Sequence, residues 1–350
     1  MKSRKTKVLH VLKSSVYSGA ENVVISIINN LLEEYEFAYV SSNGPIKNVL
    51  EKYHINHYLL DKFNINALRC VVKSYNPDII HSHDFTASVL CANLHGNFRL
   101  ISHLHYDPPW TKKWNIKTFV YCICGLLKID KVLVVSEKTY KAFSFSNLIK
   151  YKYVVVNNPI DIRNIRHRGL EQSLDCQYDL IFVGRLVEQK NPQRFINIVK
   201  LLNKRGLNLK CVMLGSGDLD KECKEMIKKE GLQDNIDLLG FKRNPYVYMN
   251  ASKILCMTSK WEGYGLVLLE ANCQGIPVLS TKTSGAMDVL GDDAIELCNT
   301  DEEFIQKIER LITDSVEYTK WSQKSIDRVN GILPLETYMD QIRGIYDELN

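Results

Sequence analysis

The sequence predicts an α/β protein of two Rossmann-like domains, each built on a parallel sheet, and three observations lead there. Short β-rich apolar runs alternate with helical stretches, the pattern of parallel strands joined by helical crossovers. The alternation comes in two sets separated by a polar stretch. The length of 350 residues suits two domains.

In the first set, Lys7–Leu12, Phe37–Ser41, Ile79–His83, Arg99–His105, Lys131–Val135 and Tyr153–Val156 read as strands. In the second, Asp179–Val183, Leu209–Leu214, Ile236–Leu239, Ile254–Thr258 and Pro277–Ser280 do. Several are continuous apolar runs, as expected of parallel strands buried on both faces. Ala20–Glu33, Gln193–Arg205 and Leu219–Glu230 read as helices between them. Residues 163–176 are polar and patternless, which suits a linker. The expected domains are 1–165, 166–333 and a final helical segment, 334–350.

Composition narrows the function classes. Apolar residues make up 45% of the chain, enough for ordinary cores, yet no run offers the ~20 apolar residues of a membrane-spanning helix. The basic start is followed by Val8–Leu12, interrupted by His10 and stopped by Lys13, so no signal peptide is expected. The ten cysteines are scattered, only Cys122 and Cys124 lying close together, which fits reduced cytosolic thiols. Residues 1–168 hold 23 Lys/Arg against 12 Asp/Glu, and residues 169–350 hold 22 against 28. A basic first half suggests an anionic partner. No recognised nucleic-acid motif is present, so an anionic membrane surface is expected rather than nucleic acid.

The most informative stretch is Lys260–Val278. It holds Glu262 and Glu270, with Gly263, Tyr264 and Gly265 between them and an apolar run from Leu266. The glycines put Glu262 on a loop, and Leu266 onward reads as a helix whose first turns carry Glu270. A helix start offers unpaired amides and partial positive charge, which suits a phosphate. Eight residues at helical rise span about 12 Å, room for a carboxylate at each end of a nucleotide diphosphate.

This segment resembles the Glu-x7-Glu motif of the GT-B glycosyltransferases, specifically retaining family 4. The resemblance implies two Rossmann-like domains facing across a cleft, with a last helix crossing back to the N-terminal domain. It places Glu262 by the donor sugar and Glu270 on the ribose hydroxyls, and makes Gly263, Tyr264, Gly265 and Leu266 donor-binding. Phe182–Asn191 is similar to the family's Gly-Arg-Leu…Lys motif. Gly184 would let the chain turn at a strand's carboxyl edge, where open α/β sheets bind ligands. Arg185, a bidentate fork, and Lys190, a compact charge, would clamp the diphosphate.

Ser18-Gly19-Ala20-Glu21 resembles the family's first Gly-rich loop, with Ser18 in place of a glycine. Gly215 and Gly217 resemble its Gly-x-Gly loop by the nucleobase, and Gly240–Pro245, including Phe241, its loop below the base. Asp218 or Asp220 reads as a helix cap rather than part of a metal motif. Thr283–Asp288 matches a family loop that often reads Gly-Gly-x-x-Glu, from which Ser284 and Asp288 depart.

Strand alternation puts His81 with His83 and His103 with His105. The resemblance makes His105 the histidine that contacts donor sugar hydroxyls. His81 and His103 read as structural, and His83 as structural or acceptor-side. No metal is expected: Asp84 and Asp107 lie nearby, but no carboxylate–histidine motif accompanies the four. Trp110–Lys117 followed by Thr118–Leu127 is aromatic, basic and then apolar. It suits either a helix in a membrane interface or a core helix with a basic entrance.

The expectation is therefore a retaining glycosyltransferase of hexosyltransferase type. It would move a sugar from a UDP- or GDP-sugar to a hydroxyl of a lipid-linked or oligosaccharide acceptor. No cofactor is required, and the pathway is assembly of capsule, exopolysaccharide or lipopolysaccharide. The expected location is cytoplasmic, peripheral on the inner face of the cell membrane. A sugar-nucleotide epimerase of the same fold and a non-catalytic nucleotide-sugar-binding subunit are the alternatives. A dinucleotide oxidoreductase would need a Gly-x-Gly-x-x-Gly turn, which Val16–Glu21 lacks.

Overall fold

Branched apolar runs, buried on both faces, build two separate parallel sheets. The computed structural model describes residues 4–17, 19–105, 109–144, 146–332 and 334–350. Ser18 and Asp107 lie outside the described residues. The chain divides into two units, Met1–Pro159 with Pro334–Asn350, and Ile160–Leu333.

Unit 1 opens with β1 (Lys7–Val11), α1 (Gly19–Leu31), β2 (Glu36–Ser42), α2 (Lys47–Lys52) and β3 (His57–Leu60). It continues with α3 (Ile65–Tyr75), β4 (Ile79–Ser82), α4 (Phe85–Ala92), β5 (Arg99–Leu104), α5 (Ile116–Leu127), β6 (Lys131–Val134), α6 (Glu137–Ala142) and β7 (Tyr153–Val155). The strand order is β3-β2-β1-β4-β5-β6-β7, parallel at every pairing. The chain thus starts in the middle, moves to one side, and reverses between β1 and β4.

Asp84 shows how a carboxylate is absorbed by local structure. Its Oδ1 accepts from Ala87 N–H at 2.7 Å, capping α4, and its Oδ2 accepts from Lys13 N–H at 3.0 Å. On one face of the sheet, Ser82, Ser88, Ser102 and the Tyr121 hydroxyl form a buried hydrogen-bond ladder with steps of 2.7–2.9 Å. The opposite face holds the histidines described below.

Unit 2 contains α7 (Ile162–Gly169), β8 (Tyr178–Val183), α8 (Pro192–Lys204), β9 (Cys211–Leu214), α9 (Asp220–Lys229), β10 (Ile236–Gly240) and α10 (Tyr246–Asn250). β11 (Ser252–Met257), α11 (Leu266–Cys273), β12 (Val278–Thr281), α12 (Ser284–Leu290), β13 (Leu297–Cys298), α13 (Asp301–Thr313) and α14 (Ser315–Asn330) follow. The order is β10-β9-β8-β11-β12-β13, again parallel, reversing between β8 and β11. Phe182, Phe195 and Phe304 are fully buried between this sheet and its helices.

α15 (Leu335–Leu349) belongs to unit 1. Arg343 donates both arms of its guanidinium to Glu34, at 2.6 and 2.9 Å. The Tyr346 ring stacks edge-on against Tyr35 and His81.

Two expectations need correction. Residues 163–176 are not a plain linker, because 162–169 form a helix. Asp161 caps it by accepting from Asn164 N–H at 2.9 Å, Ile165 is buried, and Arg166 donates to Cys273 O at 3.0 Å. These contacts tie the helix to unit 2, so the units part after Pro159 rather than after residue 165. Asp218 and Asp220 do not occupy a cap position: Leu219 does, and Asp220 instead accepts from Gly217 N–H at 3.2 Å.

Candidate active site

In open α/β sheets, ligands bind beyond the carboxyl ends of the strands, where the strand order reverses. In unit 2 that point lies between β8 and β11. Loop 184–191 leaves one strand and loop 258–265 leaves the other. Hydrogen bonds lock the loops together: Lys260 N–H donates to Gln189 O at 2.8 Å, and the Thr258 hydroxyl to Asn191 O at 3.0 Å. Gln189 Nε2 donates to Trp261 O at 3.2 Å.

That lock brings Lys190 and Glu262 together. Lys190 Nζ donates to Glu262 Oε2 at 2.6 Å, with both side chains largely buried. Arg185 stands differently. It is exposed, and its Nη2 reaches only Gln189 Oε1, at 3.5 Å. The two cations expected to clamp a diphosphate therefore differ: Lys190 is engaged with Glu262, and Arg185 is exposed.

Gly265 adopts φ +72° and opens α11 at Leu266, with no side chain capping the helix start. Leu268 N–H donates to Gly265 O at 2.9 Å, and a helix start without a side-chain cap carries partial positive charge. The loop before it rests on α12. Glu262 O accepts from Gly285 N–H at 3.0 Å and from Ser284 Oγ at 3.1 Å. A Cβ on Gly285 would sit 2.6 Å from Tyr264 N, so the approach requires glycine there. Ser284 departs from the family pattern yet supports the Glu262 backbone. Gly263 is buried and Tyr264 half-buried, its hydroxyl pKa raised by burial and the nearby Asp288.

Glu270 sits in the second turn of α11. Tyr246 Oη donates to its Oε1 at 3.2 Å, and burial raises its carboxyl pKa against the opposing pull of Tyr246, Arg168 and Lys190. The Arg168 guanidinium lies 4.9 Å from the Tyr246 ring centre. Neither Tyr246 nor Arg168 was expected. Both lie in segments without a distinctive motif, and only folding brings them to Glu270.

The glycines of these loops differ in how tightly they are held. Gly184 lacks a positive φ. The tight residue is Gly215, at φ +141°, where a Cβ would fall 1.9 Å from Gly184 O. A Cβ on Gly217 would fall 2.4 Å from Leu186 O. Both glycines let the loop after β9 close on the loop after β8. Phe241 is 58% exposed and follows Gly240 at φ +70°. Gly19, in unit 1, is the exposed first residue of α1.

The reversal point of unit 1 carries histidines. His10 on β1 is in register with His81 on β4, and His103 lies on β5, with His83 and His105 just past the strand ends. Register and alternation put all five on one face. His10, His81 and His103 have no exposed surface, His83 has 2%, and His105 is partly exposed. His10 Nδ1 and His83 Nε2 lie 2.8 Å apart, and His83 Nδ1 and His105 Nε2 3.0 Å. His81 Nδ1 lies 2.8 Å from Tyr346 Oη. Burial pushes His10 down to about 3 and His105 to about 4, and holds the other three well below the usual imidazole range. All five are neutral at pH 7. Nitrogens of His10, His81 and His83, and of His83, His103 and His105, come within 4.8 Å of one another, close enough to raise a metal hypothesis.

α5 is half a core helix. Tyr121 and Cys122 are buried, and Asn115 caps it in a reciprocal box with Thr118. Its other face shows Ile116 (78% exposed), Phe119, Ile123, Leu126 and Leu127 (74%), beside exposed Lys112, Lys113, Lys117 and Lys128. No described helix is long and apolar enough to cross a membrane.

Comparison with known proteins covers both units. The family model Glycosyltransferase Family 4 matches residues 17–164, and Glycosyl transferases group 1 matches residues 169–328. The capsular polysaccharide biosynthesis glycosyltransferase CapH of Staphylococcus aureus is 24% identical over 327 residues, covering 88% of this chain and 91% of that one. A Campylobacter jejuni relative, named GalNAc-alpha-(1->4)-GalNAc-alpha-(1->3)-diNAcBac-PP-undecaprenol alpha-1,4-N-acetyl-D-galactosaminyltransferase, is 25% identical over 336 residues, covering 88% and 89%. The crystal structure of Anabaena Alr3699/HepE in complex with UDP and glucose superimposes with a TM-score of 0.83 at 20% identity, covering 98% of this chain and all of that one.

Proposed function

This chain belongs to the GT-B glycosyltransferases and is a sugar-transferring enzyme; we propose that it moves a sugar, with retention of configuration, from a nucleotide-sugar donor to a hydroxyl of a lipid-linked glycan during surface-polysaccharide assembly. The observation carrying this reading is the Lys190–Glu262 pair beside the uncapped start of α11, at the reversal point of unit 2. The names of the Campylobacter and Staphylococcus relatives support the acceptor and the pathway.

In the mechanism we propose, Lys190, Arg185 and the α11 amides hold the donor diphosphate. Glu270 takes the ribose hydroxyls, Glu262 lies by the sugar, and His105 meets a sugar hydroxyl. Glu262 keeps Lys190 oriented until the more highly charged diphosphate competes for it. The bond from the anomeric carbon to the diphosphate then breaks, and the acceptor oxygen attacks from the same face. The acceptor proton passes to the departing phosphate oxygen. Fixed cations and helix dipoles stabilise charge where it develops on the leaving group. No metal ion is required in this scheme, so EDTA should leave the rate unchanged.

The donor is a UDP- or GDP-sugar in this reading. Thermal-shift measurements with UDP-, GDP- and ADP-sugars identify it, because a ligand of the native state raises the melting temperature. NMR of the product anomer then tests retention. Donor hydrolysis or epimerisation without transfer to any lipid-linked acceptor would defeat the proposal. Attachment to an anionic membrane surface through the apolar, lysine-rimmed face of α5 is the accompanying expectation. Flotation with anionic vesicles tests it, and Phe119→Ser with Ile123→Ser should abolish co-flotation.

A further inference from the structure

We propose that Tyr246 is a positioning residue for the donor: its hydroxyl holds Glu270 by one carboxylate oxygen, so that the other is presented to the ribose hydroxyls of the nucleotide sugar. This role presupposes that Glu270 takes the ribose hydroxyls, as in the function proposed above.

A glutamate reaches its ligand through several rotatable bonds, and fixing such a side chain costs conformational entropy. A ribose offers a pair of neighbouring hydroxyls, and each must meet a carboxylate oxygen at a good angle. A carboxylate that is already fixed meets both at lower cost. Tyr246 Oη supplies the fixing bond, donating to Glu270 Oε1 at 3.2 Å. Among the described residues no group donates to Oε2, and an ionised carboxylate oxygen can accept from more than one hydroxyl. The ring that carries the phenol is itself held. Tyr246 is only 7% exposed, and the Arg168 guanidinium covers its face at 4.9 Å from the ring centre.

The brace reaches beyond the pair. Tyr246 opens α10, and its N–H donates to Asn244 Oδ1 at 3.3 Å. Asn244 Nδ2 donates to Arg168 O at 2.8 Å and to Glu171 Oε2 at 2.9 Å. Arg168 Nη2 donates to Arg243 O at 2.9 Å. These bonds tie α10 and the loop before it to α7. In turn α7 is tied to α11, where Gln274 Nε2 donates to Ile165 O at 2.8 Å and Arg166 Nε to Cys273 O at 3.0 Å. Tyr246 and Glu270 therefore stand on elements joined through α7, and that frame sets the distance between them.

A neutral donor suits this task better than a cation. An arginine placed on the carboxylate could take both oxygens in a fork and leave none for the sugar. Arg168 instead gives its hydrogen bond to Arg243 O and its face to the Tyr246 ring. Burial raises the Glu270 pKa; the Tyr246 hydrogen bond opposes it first, then Arg168 and Lys190 through space. Packing alone would be served equally well by phenylalanine.

Calorimetric titration of the full chain with UDP, GDP and ADP, each beside its dideoxyribose counterpart, measures how much affinity depends on the ribose hydroxyls. In the wild type the best-bound ribonucleotide should exceed its dideoxy form by about tenfold or more. Tyr246→Phe keeps the ring and removes the hydroxyl. It should weaken the ribonucleotide about fivefold to tenfold and leave the dideoxy form within about twofold, so that the ratio collapses. An unchanged ratio in Tyr246→Phe, or equal weakening of both forms, would overturn the positioning role. A wild-type protein that bound both forms alike, or bound none of these ribonucleotides, would instead refute the ribose-binding reading of Glu270. Glu270→Ala tests that reading separately: it should abolish the ratio, and a wild-type ratio in this variant would refute it.

Discussion

The two sheets reverse their strand order in the same way, yet they fill the reversal point with opposite chemistry. In unit 1 the space holds five uncharged imidazoles; in unit 2 it holds a buried ion pair and an uncapped helix start. The topology supplies a ligand-binding place twice, and the side chains decide what each place can do. In the proposed function unit 2 takes the diphosphate, through Lys190 and the start of α11. Unit 1 is suited to hydroxyl groups, because neutral histidines form hydrogen bonds without attracting charge.

Acid should separate the two units most sharply. The native pKa of His10 is about 3 and that of His105 about 4, and the other three also lie far below the unfolded value of 6.5. Below pH 6.5 the unfolded chain therefore binds protons that the native chain does not, and stability falls as pH falls. Every one of the five shifts acts in that direction, so the losses reinforce one another as the pH falls below 6.5. Glu270 works in the opposite sense: its raised carboxyl pKa favours the native form as pH falls towards the unfolded value of 4.5. Calorimetry between pH 7.5 and 5.5 should show an early transition that moves down steeply, and a flat profile would break the contrast. Replacing His103 by Phe should flatten the pH slope by about one proton.

The ion pair comes next in size. Lys190→Ala removes the proposed charge-assisted partner of the diphosphate and leaves Glu262 buried without its cation. A loss of about a hundredfold or more in kcat/KM is expected. Arg185→Ala, at the exposed rim, should cost nearer tenfold, and steady-state kinetics of the pair would sharpen the distinction. Smaller again is Gly285→Ala. Its Cβ would push the Tyr264 backbone away, so donor KM should rise with melting temperature lowered by only a few degrees, about 1 kcal/mol.

The fold class was legible because the strands are continuous apolar runs, and parallel pairing follows from alternation with helices. β3 was not legible: every residue of His57–Leu60 is only half-buried, so no apolar run announces an edge strand. α7 was hidden by Arg163, Arg166, His167 and Arg168, which leave Ile162 and Ile165 too sparse to show a period. In the site, local motifs pointed to loops 184–191 and 258–265, but the contact between Lys190 and Glu262 spans 72 positions. His10 read merely as an interruption in an apolar run. Its place in the histidine chain depends on β1 lying beside β4, which no local pattern states. The same holds for Tyr246 and Arg168 around Glu270.

Tyr346 meets His81 across 265 positions of sequence, with all of unit 2 lying between. A ribosome making this chain therefore finishes the second unit before it releases the helix that completes the first. Until then, Tyr35 and the inner histidines lack their cover, and the half-made first unit is the part that a chaperone or protease would find open. Trimming residues 334–350 would recreate that nascent state permanently, leaving an intact second unit joined to an unsealed first.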